Sequence, residues 1–289
     1  MDRLTIFCEI DDFCREFEPK FNQQLLAQSE RQRIKPSRLS RSEVMTILVL
    51  FQRSGFRDLK RFYTKLVSRY WQADFPDLLS YNRFVELQRD CLMLLGAYLQ
   101  TRLGRCSGVS FVDSSKIAVC HNLRIKQNKV FAGIAHRGKT SVDWFYGFKL
   151  HLMVSDPGEL LAWQITLGNV DDRQPVPPMS KRIWGKLFGD RGYLSQKLSA
   201  LLGAKNIQLI TKIRKKMKNQ LVNYFDKVML RKRAIIESIF DQLKNISQIE
   251  HSRHRSVWNF YTNIIAGLIA YTYQERKPNL QLRKELVLS

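Results

Sequence analysis

The chain has 289 residues, 44% of them apolar and 26% charged, a globular composition that excludes wholesale disorder, collagen-like repeats and a disulfide-stapled mini-fold. Lys and Arg number 48 against 26 Asp and Glu, a net charge of +22, and so basic a chain attracts polyanions, nucleic acid foremost. Five cysteines, Cys8, Cys14, Cys91, Cys106 and Cys120, form an odd set without a C-x-x-C pair, which argues against a disulfide framework or a cysteine zinc site and for a reducing compartment.

The N-terminus meets acids early, at Glu9, Asp11 and Asp12, and has no signal-peptide apolar core, so a cytoplasmic location is expected. The first hundred or so residues read as helical. Ser40-Arg41-Ser42-Glu43 is a capping-box pattern ahead of apolar Val44, Ile47, Leu48 and Phe51, which predicts a helix start. Ser54-Gly55 breaks that helix, and Leu59, Phe62, Tyr63, Leu66 and Val67 recur at helical spacing on a second segment carrying Arg57, Lys60, Arg61, Lys65 and Arg69. The pair is a candidate helix-turn-helix near 40–69, or else an αα-hairpin with a solvated basic face. Residues 31–69 hold 11 Lys and Arg against two acids, which favours DNA contact. A third helix is expected from near Asn82 to Leu103.

Beyond Gly104 the texture changes. Val109–Asp113 is a short β-prone run ending in an acid, and Trp144–Val154 is a longer one. Asp156-Pro157-Gly158-Glu159 is a turn, and Leu160–Leu167 resumes the strand pattern. Leu187–Asp190 is a fourth strand ending in an acid, Ile207–Thr211 a fifth, and a long helical tail begins near Leu230. Three consecutive antiparallel strands followed by alternating helices and strands predict an α/β sheet. The greasy stretch Val257–Tyr273 contains Asn259, Thr262, Asn263 and Thr272 and falls short of the ~20 apolar residues of a membrane span. It reads as a buried helix, and no membrane is expected as partner.

A carboxylate near a polyanion repels it unless a cation intervenes, so acids among basic residues at strand ends carry the chemistry. Asp113, Asp190 and Glu237 are those acids. Taken singly, each is an ordinary strand-end Asp or a solvated helix Glu; together, three hard oxygen donors suit Mg²⁺ or Mn²⁺ better than zinc. On the helix expected over Leu230–Lys244, Arg233, Glu237 and Lys244 lie within about 40° of one face. A plain Arg233–Glu237 salt bridge is one reading; the other has Glu237 on metal and Arg233 and Lys244 on phosphates. Ile235, Ile236, Ile239, Phe240 and Leu243 supply the buried side. Residues 205–255 hold 13 Lys and Arg against four acids, including Lys212, Arg214, Lys215 and Lys216, which are placed to line a DNA track, with Lys116, Arg124, Lys126 and Lys129 as additions.

In Phe111-Val112-Asp113-Ser114, Gly189-Asp190-Arg191-Gly192-Tyr193 and Arg233–Lys244, the chain resembles the DDE transposases of bacterial insertion sequences. Many of these carry Tyr, two residues, Arg, three residues, Glu, six residues, Lys; here the Arg, Glu and Lys match and Leu230 replaces the Tyr. Gly168–Arg173 is similar to the stretch preceding the family's second acid. The resemblance implies a ribonuclease-H-like α/β catalytic domain over 106–289, a mixed five-stranded sheet flanked by helices. It also implies an all-α N-terminal domain over 1–105 that binds DNA ends. Asp113, Asp190 and Glu237 are then catalytic and metal-binding, holding two Mg²⁺ (Mn²⁺ possible) about 3.5–4 Å apart with Asp113 between them. Arg233, Lys244, Lys212, Arg214, Lys215, Lys216, Arg57, Lys60 and Arg61 become DNA-binding residues.

The implied substrates are double-stranded DNA at the element's terminal inverted repeats and at a target, in a nucleoid-associated, cytoplasmic enzyme. A homodimer is compatible with pairing two DNA ends. The rival readings are a metal-dependent nuclease of the same fold that cuts without joining, and a non-catalytic basic DNA-binding protein. Asp171 and Asp172 compete as ligands but read equally as a loop. His251 and His254 lack a third metal ligand, Trp144, Trp163 and Trp258 read as core, and no phosphate-loop glycine motif is present.

Overall fold

The computed structural model describes residues 2–27, 37–140, 143–212, 223–250 and 254–280. In chain order the helices α1 (Arg3–Ala27), α2 (Arg41–Arg53), α3 (Leu59–Phe62), α4 (Ser68–Tyr70), α5 (Tyr81–Leu87) and α6 (Leu92–Thr101) come first. They are followed by strands β1 (Val109–Cys120), β2 (His136–Lys139), β3 (Trp144–Ser155) and β4 (Leu160–Leu167). Then come α7 (Val176–Met179), β5 (Gly185–Gly189), α8 (Gln196–Gly203) and β6 (Ile207–Thr211), and finally α9 (Tyr224–Lys232), α10 (Ala234–Asn245) and α11 (Val257–Thr272). Two compact units result. One is Met1–Arg102 with Leu243–Glu275, the other Leu103–Gln242 with Arg276–Ser289. The division is discontinuous in sequence, so α11 groups with the N-terminal helices and not with the sheet.

The all-helical unit is built on α2 and α11, both buried on nearly every side. The capping box forms as its residues dictate: Ser40 Oγ accepts from Glu43 N–H at 3.1 Å and Glu43 Oε2 from Ser40 N–H at 2.7 Å. Gln52 donates to Asn263 Oδ1 at 2.7 Å, pairing two buried amides between the central helices. After α2, Gly55 at φ +72° turns the chain and Asp58 Oδ1 caps α3 by accepting from Arg61 N–H at 2.7 Å. A π-helical turn, Tyr63–Val67, links α3 to α4. Arg57, Lys60, Arg61, Lys65 and Arg69 are all exposed. The expected third helix is interrupted by a 3₁₀ turn at Gln88–Cys91.

The second unit holds one mixed sheet in the order β2-β3-β1-β5-β6, with β4 on the outer side of β3. β3 pairs antiparallel with β1 along one edge; along the other its start pairs with β2 and the remainder with β4. β5 and β6 join β1 in parallel. The sheet is thus the expected one with a sixth strand. His136-Arg137-Gly138-Lys139 escapes a pattern search because it is short, basic and has no alternation.

Two boundaries differ from expectation. β1 does not end at Asp113 but runs on to Cys120, because β3 continues to pair with it from Ser114↔His151 to Ala118↔Gly147. The helix expected over Leu230–Lys244 is two helices broken at Arg233.

Val112, Met153, Leu187, Tyr193, Leu198 and Ile207 form the core on one sheet face. Phe111 and Phe188 stack on the other with ring centroids 5.6 Å apart, and α9 packs against β5 and β6. The start of β5 is set by Gly185, at φ +79°. A Cβ there would stand 2.4 Å from Gly108 O, and Lys186 N–H donates to that carbonyl at 2.8 Å. This close approach fixes the register of β5 against β1.

Candidate active site

That register brings the first two acids together. The β1–β5 ladder runs Val109↔Lys186 to Val112↔Gly189; one step further places Asp113 opposite Asp190, on strands about 4.8 Å apart. Asp113 lies in mid-strand, yet it is the first residue past the parallel pairing and so stands where β5 releases its neighbour. Asp190 begins the turn after β5, and Glu237 sits in the first turn of α10.

The three acids meet around one side chain. Arg233 Nη1 donates to Asp113 Oδ2 at 2.8 Å, and Nη2 donates to Glu237 Oε1 at 2.7 Å. The same Nη2 is 3.9 Å from Asp190 Oδ1. The plain i,i+4 ion pair read from the sequence is therefore present, as one half of a fork. Arg233 occupies the break between α9 and α10, and its side chain is 13% exposed, against 22% for Asp113, 51% for Asp190 and 57% for Glu237.

The electrostatics follow from that burial. Burial pushes the Asp113 carboxyl up to about 6, the Ser114 N–H and the Arg233 guanidinium pull it back, and the charge of Asp190 adds to the rise. Tyr193, buried beneath the strand ends, has its phenol pushed well up, first by burial and then by the charge of Asp113. His151, cross-strand from Ser114, is buried, donates to or accepts from Thr166 Oγ1 at 2.8 Å, and is held down at about 4 by burial. Tyr193 closes the Gly189–Tyr193 motif quoted from the sequence, and His151 lies inside the apolar strand β3.

The competing acids are engaged elsewhere. Asp171 accepts from Arg173 Nε at 2.9 Å, which holds its carboxyl down at about 2, and Asp172 accepts from Lys149 Nζ at 2.9 Å. Lys116 pairs with Asp143 at 2.9 Å, and Lys244 pairs with Glu250 at 2.9 Å. Lys212, Arg124, Lys126 and Lys129 are exposed; Arg214, Lys215, Lys216 and His251 lie outside the described residues. His254 is held down at about 4 by burial. Two tryptophans expected in the core are not there: Trp144 is 56% and Trp258 47% exposed. Lys139 Nζ lies 5.6 Å from the Trp144 ring and Arg89 5.3 Å from the Trp258 ring, so cations cover both.

The three carboxylates converge on a single positive charge, the Arg233 guanidinium, and hard carboxylate oxygens are the donor type that divalent cations such as Mg²⁺ take. Among the described residues no three Asp, Glu, His or Cys side chains stand close enough to share an ion. The acids are spaced around the guanidinium instead. Also among the described residues, no helix is long and apolar enough to cross a membrane.

The "Transposase DDE domain" family model matches residues 103–257, more than half of the chain. Among solved structures, the chain is similar to the piggyBac transposase in its cryo-EM synaptic complex with hairpin DNA, at 10% identity and a TM-score of 0.52, covering 99% of this chain and 78% of that one. The crystal structure of the Mos1 strand transfer complex aligns at 11% identity over 90% of this chain and 84% of that one, with a TM-score of 0.26. No curated protein matches. The sheet order with its flanking helices is ribonuclease-H-like, and on the family match the chain belongs to the DDE-domain transposases.

Proposed function

We propose that the protein is an insertion-sequence transposase that cleaves DNA at the ends of its element and transfers the released strands to a target. The observation that carries this reading is the convergence of Asp113 in β1, Asp190 just past β5 and Glu237 in α10 around a common cation, Arg233. Asp113, Asp190 and Glu237 would hold divalent ions, Mg²⁺ or Mn²⁺. Two such ions supply activation of a hydroxyl nucleophile and stabilisation of the departing 3′-oxygen.

The chain's own groups do the rest. Asp113, most buried of the three and placed beside Asp190 by strand register, is the fixed member of the set. Asp190 and Glu237, half exposed, face substrate. No covalent protein intermediate is required, because a 3′-hydroxyl left by cleavage serves as the next nucleophile. Arg57, Lys60 and Arg61 on the helical unit, together with Lys212, Arg214, Lys215 and Lys216 between the second and third acids, neutralise duplex phosphates; Arg233 and Lys244 contribute from the ends of α9 and α10. Such contacts give affinity and orientation without sequence choice. The N-terminal unit binds the element's terminal repeats, two protomers pair two ends, and the enzyme works in the bacterial cytoplasm on the nucleoid.

The test uses a plasmid carrying the reading frame between its natural flanks. The unmodified protein with Mg²⁺ is expected to nick at the element ends and to yield joined products, and Asp113→Asn to yield neither. Cleavage by Asp113→Asn overturns the site. Nicking without joining by the unmodified protein would make it a nuclease, and binding without nicking a DNA-binding protein.

A further inference from the structure

Arg233 sits in an unexpected place for a side chain assigned to grip DNA. It is 13% exposed, and both terminal nitrogens are committed to carboxylates, Nη1 to Asp113 at 2.8 Å and Nη2 to Glu237 at 2.7 Å with Asp190 at 3.9 Å. Three carboxylates and one guanidinium leave the cluster at −3 + 1 = −2. The helix also breaks at Arg233, although Lys232-Arg233-Ala234-Ile235 contains no Gly or Pro.

We propose that Arg233 is the counter-ion of the metal-free site, and that it must release Asp113 and Glu237 before a divalent cation can take them. This rests on the metal reading of the three acids and adds a competitor to it. Guanidinium and metal would need the same oxygens. Asp113 Oδ2 and Glu237 Oε1 each already accept a charge-assisted hydrogen bond from the same fork. A cation such as Mg²⁺, needing oxygens at about 2.0–2.1 Å, cannot enter between them while the guanidinium fills that space, and it is repelled by a like charge a few ångströms away. With the guanidinium in place, no three acids among the described residues are at ion-sharing distance. Arg233 therefore acts as spacer and placeholder. It keeps three mutually repelling carboxylates assembled, and it lowers their affinity for the ion. Once released, the planar fork matches a phosphodiester's paired oxygens, so ion uptake and backbone grip are linked through one side chain. Arg233 is a positioning residue in this scheme.

The experiment measures Mn²⁺ binding to the full-length protein without DNA, from the electron paramagnetic resonance signal of free Mn²⁺. Wild type is compared with Arg233→Gln, Arg233→Lys and Glu237→Gln, with thermal melts to verify folding. Arg233→Gln is expected to bind Mn²⁺ roughly tenfold tighter, the equivalent of about 1.4 kcal/mol. Arg233→Lys, whose ammonium keeps the charge but cannot span two carboxylates, is expected to bind about threefold tighter. Glu237→Gln is expected to bind more weakly. Equal or weaker binding by Arg233→Gln overturns the proposal, as does an Arg233→Lys indistinguishable from wild type, which also decides the matter should the Gln variant misfold. If the wild type itself shows no saturable binding and Glu237→Gln is identical to it, the metal reading fails and this inference with it.

Discussion

Asp113→Asn is expected to stabilise the metal-free protein near neutral pH while removing a proposed catalytic group. The Asp113 carboxyl titrates at about 6 in the fold against an ordinary 3.8, chiefly because burial disfavours its charge. A folded-state value above the unfolded one means that the native state holds the proton more tightly. Stability from this group is complete below 3.8, falls as pH rises from about 4 to 6, and is fully lost above 6. At 1.36 kcal/mol per pH unit the loss is about 3 kcal/mol, and the side chain, at 22% exposure, is too enclosed for solvent to screen much of it. Asn carries no charge to desolvate, but its single oxygen can serve only one of the two donors, the Ser114 N–H or Arg233 Nη1, so the lost bond works against the gain. The expected gain at pH 7.5 in EDTA is therefore up to about 3 kcal/mol, or about 6–12 °C in apparent Tm at about 2–4 °C per kcal/mol. At pH 5 the gain should shrink to about half. Thermal melts at the two pH values read this directly. An Asn variant no more stable than wild type at pH 7.5, or a gain identical at both pH values, would refute the reasoning. Saturating Mg²⁺ should raise the Tm of the wild type and leave the variant where it was.

Other outcomes follow from the same structure. Replacing Arg57, Lys60 and Arg61 by Ala should reduce the slope of log affinity for duplex DNA against log salt by about 0.9 for each phosphate no longer neutralised, up to about 3; an unchanged slope in filter binding would remove that face from the DNA path. Gly185→Ala forces a side chain into a φ +79° position with its Cβ 2.4 Å from Gly108 O, and should cost about 1–3 kcal/mol of stability together with DNA cleavage. A normal melt for that variant would mean that β5 does not depend on this approach for its register. Ser40→Ala removes one hydrogen bond of the α2 capping box and should cost about 1 kcal/mol, seen as faster amide exchange at the start of α2.

Much of the fold was legible in the chain because its signals are local. The Ser40–Glu43 box names the start of α2, the Ile207–Thr211 run is β6 to the residue, and the Pro157-Gly158 turn divides β3 from β4. What escaped depends on partners distant in sequence. Ser114-Ser115-Lys116 has no apolar alternation, yet it is strand because β3 offers it a complete ladder. β2 exists because the start of β3 has an open edge. Nothing in Lys232-Arg233-Ala234 breaks a helix on propensity alone, so the break is a tertiary effect, coinciding with an arginine that three carboxylates hold. Trp144 and Trp258 look like core by composition and are covered instead by cations from other segments.

The candidate site shows the same division. Asp113, Asp190 and Glu237 could be picked out from the sequence as candidates, as acids set among basic residues. That they meet could not be read there, because Asp113 and Asp190 come together through a parallel pairing of strands far apart in the chain, whose register Gly108 and Gly185 set, and Glu237 joins them from a separate helix. Burial at Asp113 then has two consequences that cannot be separated. It works against the stability of the fold at neutral pH, where the carboxyl is ionised, and it makes the same group a strong partner for a cation that reaches it, Arg233 in this structure. A more exposed Asp113 would give a more stable protein with a weaker hold on any ion. Stabilising substitutions at this position should accordingly be easy to find and should all diminish function.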